Sequence, residues 1–211
     1  MELSVSILGI KENLKEKIDK LNETKADYLH LDIMDGLFVP NINDNIEELQ
    51  KILINNSKKI DIHLMVNDVE KYINKYKVLS PNYISFHYEI DDSIDRIIKT
   101  IKDNNIKVGL VIKPNTDVSA ILTYLSKIDL VLVMSVEPGK GGQKYIENST
   151  NKINELYELR QKYNYHFKIE VDGGINFDTI SKVNKADMVV VGSYIANSDN
   201  YDEKINMIME R

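Results

Sequence analysis

Tyr28 to Asn41 reads YLHLDIMDGLFVPN, and its first half alternates. Tyr28, His30 and Asp32 fall on one side of an extended chain, and Leu29, Leu31 and Ile33 on the other. Strict alternation over such a run predicts a strand. One face is purely aliphatic. The opposite face carries an imidazole and a carboxylate two residues apart, close enough to share a metal ion. Asp35 follows at an Asp-Gly turn, and Pro40 ends the segment. A lone H-x-D is equally the wet face of an edge strand, so the rest of the chain decides between the two readings.

Outward from this stretch, short apolar runs alternate with longer, charged, helix-periodic ones. Strands are expected near 3–8, 28–33, 60–66, 82–87, 106–112, 129–135, 167–172 and 187–192. Helices are expected near 11–22, 45–56, 68–79, 92–104, 117–126, 146–163, 176–184 and 202–210. Asn67-Asp68, Asp91 and Asn176 stand as first-turn signals before three of these. Ile94, Ile97, Ile98 and Ile101 share one helical face. KVGLVI and DLVLVM are almost continuously apolar, as parallel strands covered on both sides must be. Eight βα units in succession predict an α/β fold of the (β/α)₈ TIM-barrel type, one domain over 1–211. An open doubly wound sheet shares the same pattern.

Composition narrows the function. The 211 residues are 43% apolar with a formal net charge of −6, which argues against a broad nucleic-acid or anionic-membrane surface. Without cysteine, disulfides and thiolate metal sites are excluded, and His, Asp and Glu are left as ligands. The opening MELSVSILGIK lacks a basic leader, and no apolar run reaches bilayer length, so a cytoplasmic protein is expected.

In a (β/α)₈ barrel the chemistry sits at the C-terminal ends of the strands. Polar residues crowd there: Ser6, His30 and Asp32, His63, Ser135, Asp172, and Gly192-Ser193. His30, Asp32, His63 and Asp172 offer two imidazoles and two carboxylates, a donor set suited to Zn²⁺ and also to Fe²⁺, Mn²⁺ or Co²⁺. His87 reads equally as a site contact or as a buried hydrogen-bonded residue, and His166 as surface. Gly139, Lys140, Gly141 and Gly142 leave a strand and precede a helix, and Gly173-Gly174 and Gly192-Ser193 follow on the next two strand ends. Bare backbone amides at consecutive strand ends can cradle a phosphate. Met34, Met65 and Met134 lie at or beside strand ends, either as core filling or as a water-excluding ring against the substrate. Asp32 and Asp172 are the expected acid–base pair. One takes a proton from a carbon next to a carbonyl, and the other returns it on the opposite face.

At this point the sequence resembles the ribulose-phosphate 3-epimerase family over almost its whole length. The matching segments are SIL at Ser6–Leu8, HLDIMDGLFVPN at His30–Asn41, DIHLMV at Asp61–Val66 and FHYE at Phe86–Glu89. They continue with VGLVIKPNT at Val108–Thr116, VMSVEPGKGGQ at Val133–Gln143, VDGGI at Val171–Ile175 and VGS at Val191–Ser193. The resemblance implies a ribulose-phosphate-binding barrel that interconverts D-ribulose 5-phosphate and D-xylulose 5-phosphate in the pentose phosphate pathway. It implies a divalent metal, usually zinc or iron, on His30, Asp32, His63 and Asp172. Asp32 is then the proton acceptor and Asp172 the donor, with Ser6 and His63 at the substrate. The phosphate is implied on Gly139–Gly142, Asp172–Gly174 and Gly192-Ser193, and the assembly is implied to be a homo-oligomer.

Four departures touch the loops. Val5 replaces a usual proline, and Gly9-Ile10-Lys11 replaces a usual Ser-Ala-Asp. Lys140 stands where an aromatic is usual, and Ile42-Asn43-Asp44 where Thr/Ser-Phe-Gly is common. None removes a proposed ligand or acid–base residue. Two other readings stay open: an epimerase acting on a six-carbon ketose phosphate such as D-allulose 6-phosphate, and, in a different class, a non-catalytic phosphosugar-binding barrel. A related decarboxylase or synthase with Asp-x-Lys-x-x-Asp is disfavoured, because the strand reads Asp32-Ile33-Met34-Asp35 without lysine.

Overall fold

The computed structural model describes residues 1–10 and 12–211. Lys11, the first residue of the expected 11–22 helix and the last of the Gly9-Ile10-Lys11 departure, lies outside the described residues. Eight parallel strands form the barrel wall: β1 (Glu2–Ser6), β2 (Tyr28–Asp35), β4 (Lys59–Met65), β5 (Tyr83–His87), β6 (Lys107–Ile112), β7 (Leu130–Met134), β8 (Lys168–Asp172) and β9 (Met188–Val191). The order runs β1-β9-β8-β7-β6-β5-β4-β2, and pairing of β1 with β2 closes it. The open doubly wound sheet is thereby excluded. A two-residue strand β3 (Ile42–Asn43), not anticipated, folds back antiparallel on the end of β2.

Alternation now has a spatial meaning. Leu29, Leu31 and Ile33 point outward into the layer beneath the helices. Tyr28, Tyr83, Leu130 and Met188 form part of a separate inward-facing apolar cluster. Above that plug the interior turns polar, with Ser4, His30, Asp61, Ser85 and Glu170 all fully buried. Strand register sets the layers, pairing His30 with Asp61, Asp32 with His63 and Met134 with Asp172. Gly109 on β6 makes room for its β5 neighbour Ser85, since a Cβ at 109 would sit 2.0 Å from Ser85 Oγ.

The helices are α1 (Leu14–Asn22), α2 (Ile46–Ile52), α3 (Val69–Tyr76), α4 (Ile94–Asp103), α5 (Asn148–Tyr163), α6 (Ser193–Ala196) and α7 (Tyr201–Met209). Asp68 caps α3 by accepting the Lys71 amide, as expected. For α4 the cap is Ser93, accepting from Arg96, and Asp91 is not. Ile94, Ile97, Ile98 and Ile101 are all buried. Two expected helices are corrected: 117–126 and 176–184 contain only 3-10 turns, Val118–Ile121 and Ile180–Val183. Both segments are rich in β-branched and hydroxyl residues, which favour neither long helices nor their nucleation. Asn176 still caps its turn, accepting from the Asp178 and Thr179 amides.

The Ile42-Asn43-Asp44 segment is fixed at both ends. Asn43 Nδ2 donates to the Asp32 carbonyl at 2.6 Å. Asp44 accepts from Lys75 Nζ at 2.6 Å, Tyr76 Oη at 2.6 Å and Tyr72 Oη at 3.1 Å, tying the arm to α3. Burial alone would raise the Asp44 pKa, but the bonds from Lys75, Tyr76 and Tyr72 outweigh it and hold it below the ordinary value. A depressed carboxylate contributes stability above its unfolded pKa and loses it as the pH falls through the folded value. Asp44→Asn is therefore expected to destabilise the protein by about 1–3 kcal/mol at pH 7. In chemical denaturation the difference from wild type should shrink as the pH falls below the ordinary carboxylate range, because only the wild-type side chain titrates.

Candidate active site

The strand ends deliver their side chains to one point. Asp32, on β2, accepts from Ser6 Oγ of β1 at 2.9 Å through Oδ2. Its Oδ1 lies 3.3 Å from His63 Nδ1 and 3.4 Å from His30 Nε2. Asp172 Oδ2, at the end of β8, lies 3.9 Å from the same His63 Nδ1. One donor atom from each of His30, Asp32, His63 and Asp172 falls within 4.8 Å of all the others, a grouping able to hold a metal ion. His30 Nε2 is buried and has no hydrogen-bond partner, which leaves that nitrogen free to serve as a ligand. Two imidazoles and two carboxylates fit a borderline divalent cation.

The electrostatics point the same way. Burial would lower the His30 pKa, yet the carboxylates of Asp61 and Asp32 outweigh it and raise it well above normal. The place thus favours positive charge. For Asp32, burial opposes ionisation, but His30 and His63 hold the carboxyl far below the ordinary range. Asp172 behaves oppositely: burial and the Asp32 charge push it up to about 6. Two carboxyl groups whose environments drive them apart are the mark of an acid–base pair.

Beneath lies a layer that sequence reasoning missed. Asp61 Oδ2 is 2.6 Å from His30 Nδ1 and accepts from Ser4 Oγ at 3.2 Å. Glu170 shares this layer without a hydrogen-bond partner. Burial and the Asp61 charge raise its pKa well above normal, holding it neutral. The signal was present as parity, since Asp61 and Glu170 each stand two residues before a site residue. His87 is fully buried, its ring 4.6 Å from Phe38, and its Nε2 lies 2.9 Å from His63 Nε2. Burial drives its pKa down to about 3, so the ring is neutral. His166 is exposed, as expected. Asp35 is no ligand: it accepts from the Leu37, Phe38 and Asn67 amides and fixes the turn after β2.

A cavity of about 640 Å³ opens above the cluster. Ser6, Asp32, Asp172 and all three methionines, Met34, Met65 and Met134, line it. So do Gly139, Lys140, Gly141, Gly142, Gly173, Gly174, Gly192 and Ser193. His30 and His63 lie below its floor, fully buried. Asn41, Asn43 and Asn197 also line it and were not anticipated. Asn41 Nδ2 donates to the Gly139 carbonyl at 2.7 Å and latches the glycine-rich loop to the arm after β2. Gly139 has φ of 97°, and a Cβ there would strike Val39 at 2.8 Å. Gly174, with φ of 67°, allows the Tyr145 backbone to approach where a Cβ would lie 2.4 Å from its nitrogen.

A closed barrel with a His/Asp cluster and glycine loops at the C-terminal rim of its strands defines a (β/α)₈ enzyme. The profile described as "Ribulose-phosphate 3 epimerase family" matches residues 2–196. The chain belongs to the ribulose-phosphate 3-epimerase family. A ribulose-phosphate 3-epimerase of Aquifex aeolicus is 44% identical over 182 residues, 85% of this chain and 82% of its own. One of Buchnera aphidicola is 40% identical over 206 residues, 95% and 90% of the two chains. Among solved structures, KGPDC from Streptococcus mutans superposes with a TM-score of 0.71 at 15% identity, covering 99% of this chain and 95% of its own. The 3-hexulose-6-phosphate synthase of Salmonella typhimurium does so at 0.67 and 16% identity, covering 100% and 97%. These last two share the fold. No helix among the described residues is long and apolar enough to cross a membrane.

A carboxyl with a raised folded pKa costs stability once the pH exceeds its unfolded value, and in full above its folded one. In chelator at pH 8, Asp172→Asn should therefore be more stable than wild type by roughly 1–3 kcal/mol. Denaturation curves should show that advantage vanishing by about pH 3–4, where Asp is protonated in both states. A variant less stable than wild type at pH 8 contradicts the electrostatic picture.

Proposed function

We propose that this chain interconverts D-ribulose 5-phosphate and D-xylulose 5-phosphate at C3 through an enediolate, a step of pentose phosphate metabolism in the cytoplasm. The observation that carries this reading is the opposed bias of Asp32 and Asp172 across one cavity floor. Asp32, ionised and steadied by Ser6 Oγ, takes the C3 proton from one face of the sugar. Asp172, held in a state that readily carries a proton, returns one from the other face, and the centre inverts. The roles exchange in the reverse direction.

His30, Asp32, His63 and Asp172 would hold the divalent cation, Zn²⁺ first, with Fe²⁺, Mn²⁺ or Co²⁺ as alternatives. When bound, the cation supplies positive charge that favours the enediolate oxygens over the neutral ketose. Met34, Met65 and Met134 offer no base that would compete for the proton and keep water from the reacting carbon. Gly139–Gly142 with Lys140, Gly173-Gly174 and Gly192-Ser193 form the seat for the phosphate. A homo-oligomer follows from the family resemblance, and the exposed apolar side chains of Leu37 and Ile42, on the segment after β2, support it.

Epimerisation of D-ribulose 5-phosphate and D-allulose 6-phosphate should be measured side by side, as purified, after chelation, and after return of each metal. A much higher kcat/KM on the pentose, lost on chelation and restored by metal, is expected. Preference for the hexose would reassign the substrate, because Ile42, Asn43 and Lys140, which depart from the family pattern, all line the cavity. Asp32→Asn and Asp172→Asn should each lower kcat by about 10²–10⁴-fold with the fold intact. Full activity in either variant would remove the two-carboxylate scheme, and a wild type inactive on both sugars would leave a binding barrel.

A further inference from the structure

Each candidate imidazole ligand has a second ring nitrogen, and what that nitrogen touches decides whether a lone pair or an N–H faces the cluster. For His30 the partner is Asp61 at Nδ1, so Nε2 is the nitrogen left to face the cluster. For His63 the partner is a second imidazole, the neutral His87, at 2.9 Å between the two Nε2 atoms. The proton in that contact can sit on either ring, and the groups at the outer nitrogens choose: Asp32, 3.3 Å from His63 Nδ1, and Glu89, 3.1 Å from His87 Nδ1.

With a cation on the cluster, Asp32 would no longer draw the His63 proton, and Glu89 makes the choice. Its Oε1 accepts from the Lys113 amide at 2.9 Å and from the Thr116 hydroxyl. Its Oε2 lies 3.1 Å from His87 Nδ1. A carboxylate already accepting two donors offers no proton, so His87 must donate through Nδ1. A neutral ring has one N–H, which leaves His87 Nε2 as an acceptor. His63 must then donate through Nε2, and its Nδ1 is left with a lone pair facing Asp32 at 3.3 Å and Asp172 at 3.9 Å. The chain is anchored at its far end. Lys152, buried on α5, donates to the carbonyls of Lys113, Pro114 and Thr116 and holds the loop that supplies both donors to Glu89. Phe38 covers the His87 ring, and Lys113 Nζ sits 4.0 Å over Phe38.

We propose that His87 and Glu89 are positioning residues that fix the tautomer of His63, so that its Nδ1 lone pair faces Asp32 and Asp172. This rests on the metal-centre reading above for its consequence, though not for its geometry. The two imidazoles therefore present opposite nitrogens, Nε2 from His30 and Nδ1 from His63, each dictated by a carboxylate that does not itself enter the cluster.

Glu89→Gln tests it with almost no change of shape. The amide oxygen replaces Oε1, because the Lys113 and Thr116 donors demand an acceptor there. The NH₂ group then faces His87 Nδ1 and donates to it, and every hydrogen bond in the chain reverses. His63 Nδ1 acquires the proton, and the lone pair turns away from the cluster. Zn²⁺ affinity, by chelator competition, should fall about 10- to 100-fold. Imidazole ¹⁵N spectra of the metal-free chain at pH 9 should show the His63 proton more on Nε2 in wild type than in Glu89→Gln, where it moves toward Nδ1. His87→Gln keeps an amide oxygen for the His63 Nε2–H and should weaken zinc less than Glu89→Gln does. Zinc affinity within about two-fold of wild type in Glu89→Gln, with the His63 proton unmoved, overturns the proposal. A wild type that holds no zinc overturns the metal reading alone, and the relay then stands or falls on the tautomer spectra.

Discussion

Asp32, Asp61, Glu170 and Asp172 bring four carboxyl groups into the interior of one barrel, with two fully buried imidazoles, His30 and His63, among them. Carboxylates taken out of water cannot all stay ionised unless positive charge or donated hydrogen bonds meet them. The barrel resolves this in layers. Glu170 is kept neutral, Asp61 is spent on His30, Asp32 is held ionised by both imidazoles, and Asp172 is left close to titrating. The uppermost groups meet the open cavity with a deficit of positive charge, and that deficit is where a divalent cation fits.

Packing makes this arrangement stable. The apolar plug of Tyr28, Tyr83, Leu130 and Met188 closes the barrel below the polar layers, and the outward aliphatic faces are sealed under helices. The polar layers are thus dry on every side but one. The low dielectric around the cluster strengthens each contact in it, and the cavity opens above it at the rim. The loops complete that rim by specific ties, Asn41 to Gly139 and Asp44 to α3, so the residues that depart from the family pattern are built into the mouth.

Much of this was legible in the sequence because strand parity is local. Alternation around His30 and Asp32 told inward from outward, and eight repeats of the βα pattern predicted a barrel, which the pairing of β1 with β2 then separated from an open sheet. Residues at strand ends then had only one rim on which to meet. Relations across the barrel were illegible for the opposite reason. Asp61 and Glu170 come from strands far apart in the wall, and the contact of His63 with His87 depends on register and ring orientation together. The 117–126 and 176–184 segments carried helical spacing, but their β-branched residues gave way to 3-10 turns. The helix start at Ser93 and the two-residue strand Ile42–Asn43 were decided by a choice among neighbouring polar residues that composition does not rank.

The central claim is that Asp32 and Asp172 work as two bases on opposite faces of one carbon. Its most direct test is to run D-ribulose 5-phosphate with metal-loaded protein in D₂O and read C3 of the D-xylulose 5-phosphate formed by ¹H NMR. The account predicts one deuterium at C3 for each product molecule, since the hydrogen delivered by Asp172 comes from solvent and not from the substrate. Product that keeps the substrate's own C3 hydrogen, or no change at C3 at all, would contradict it.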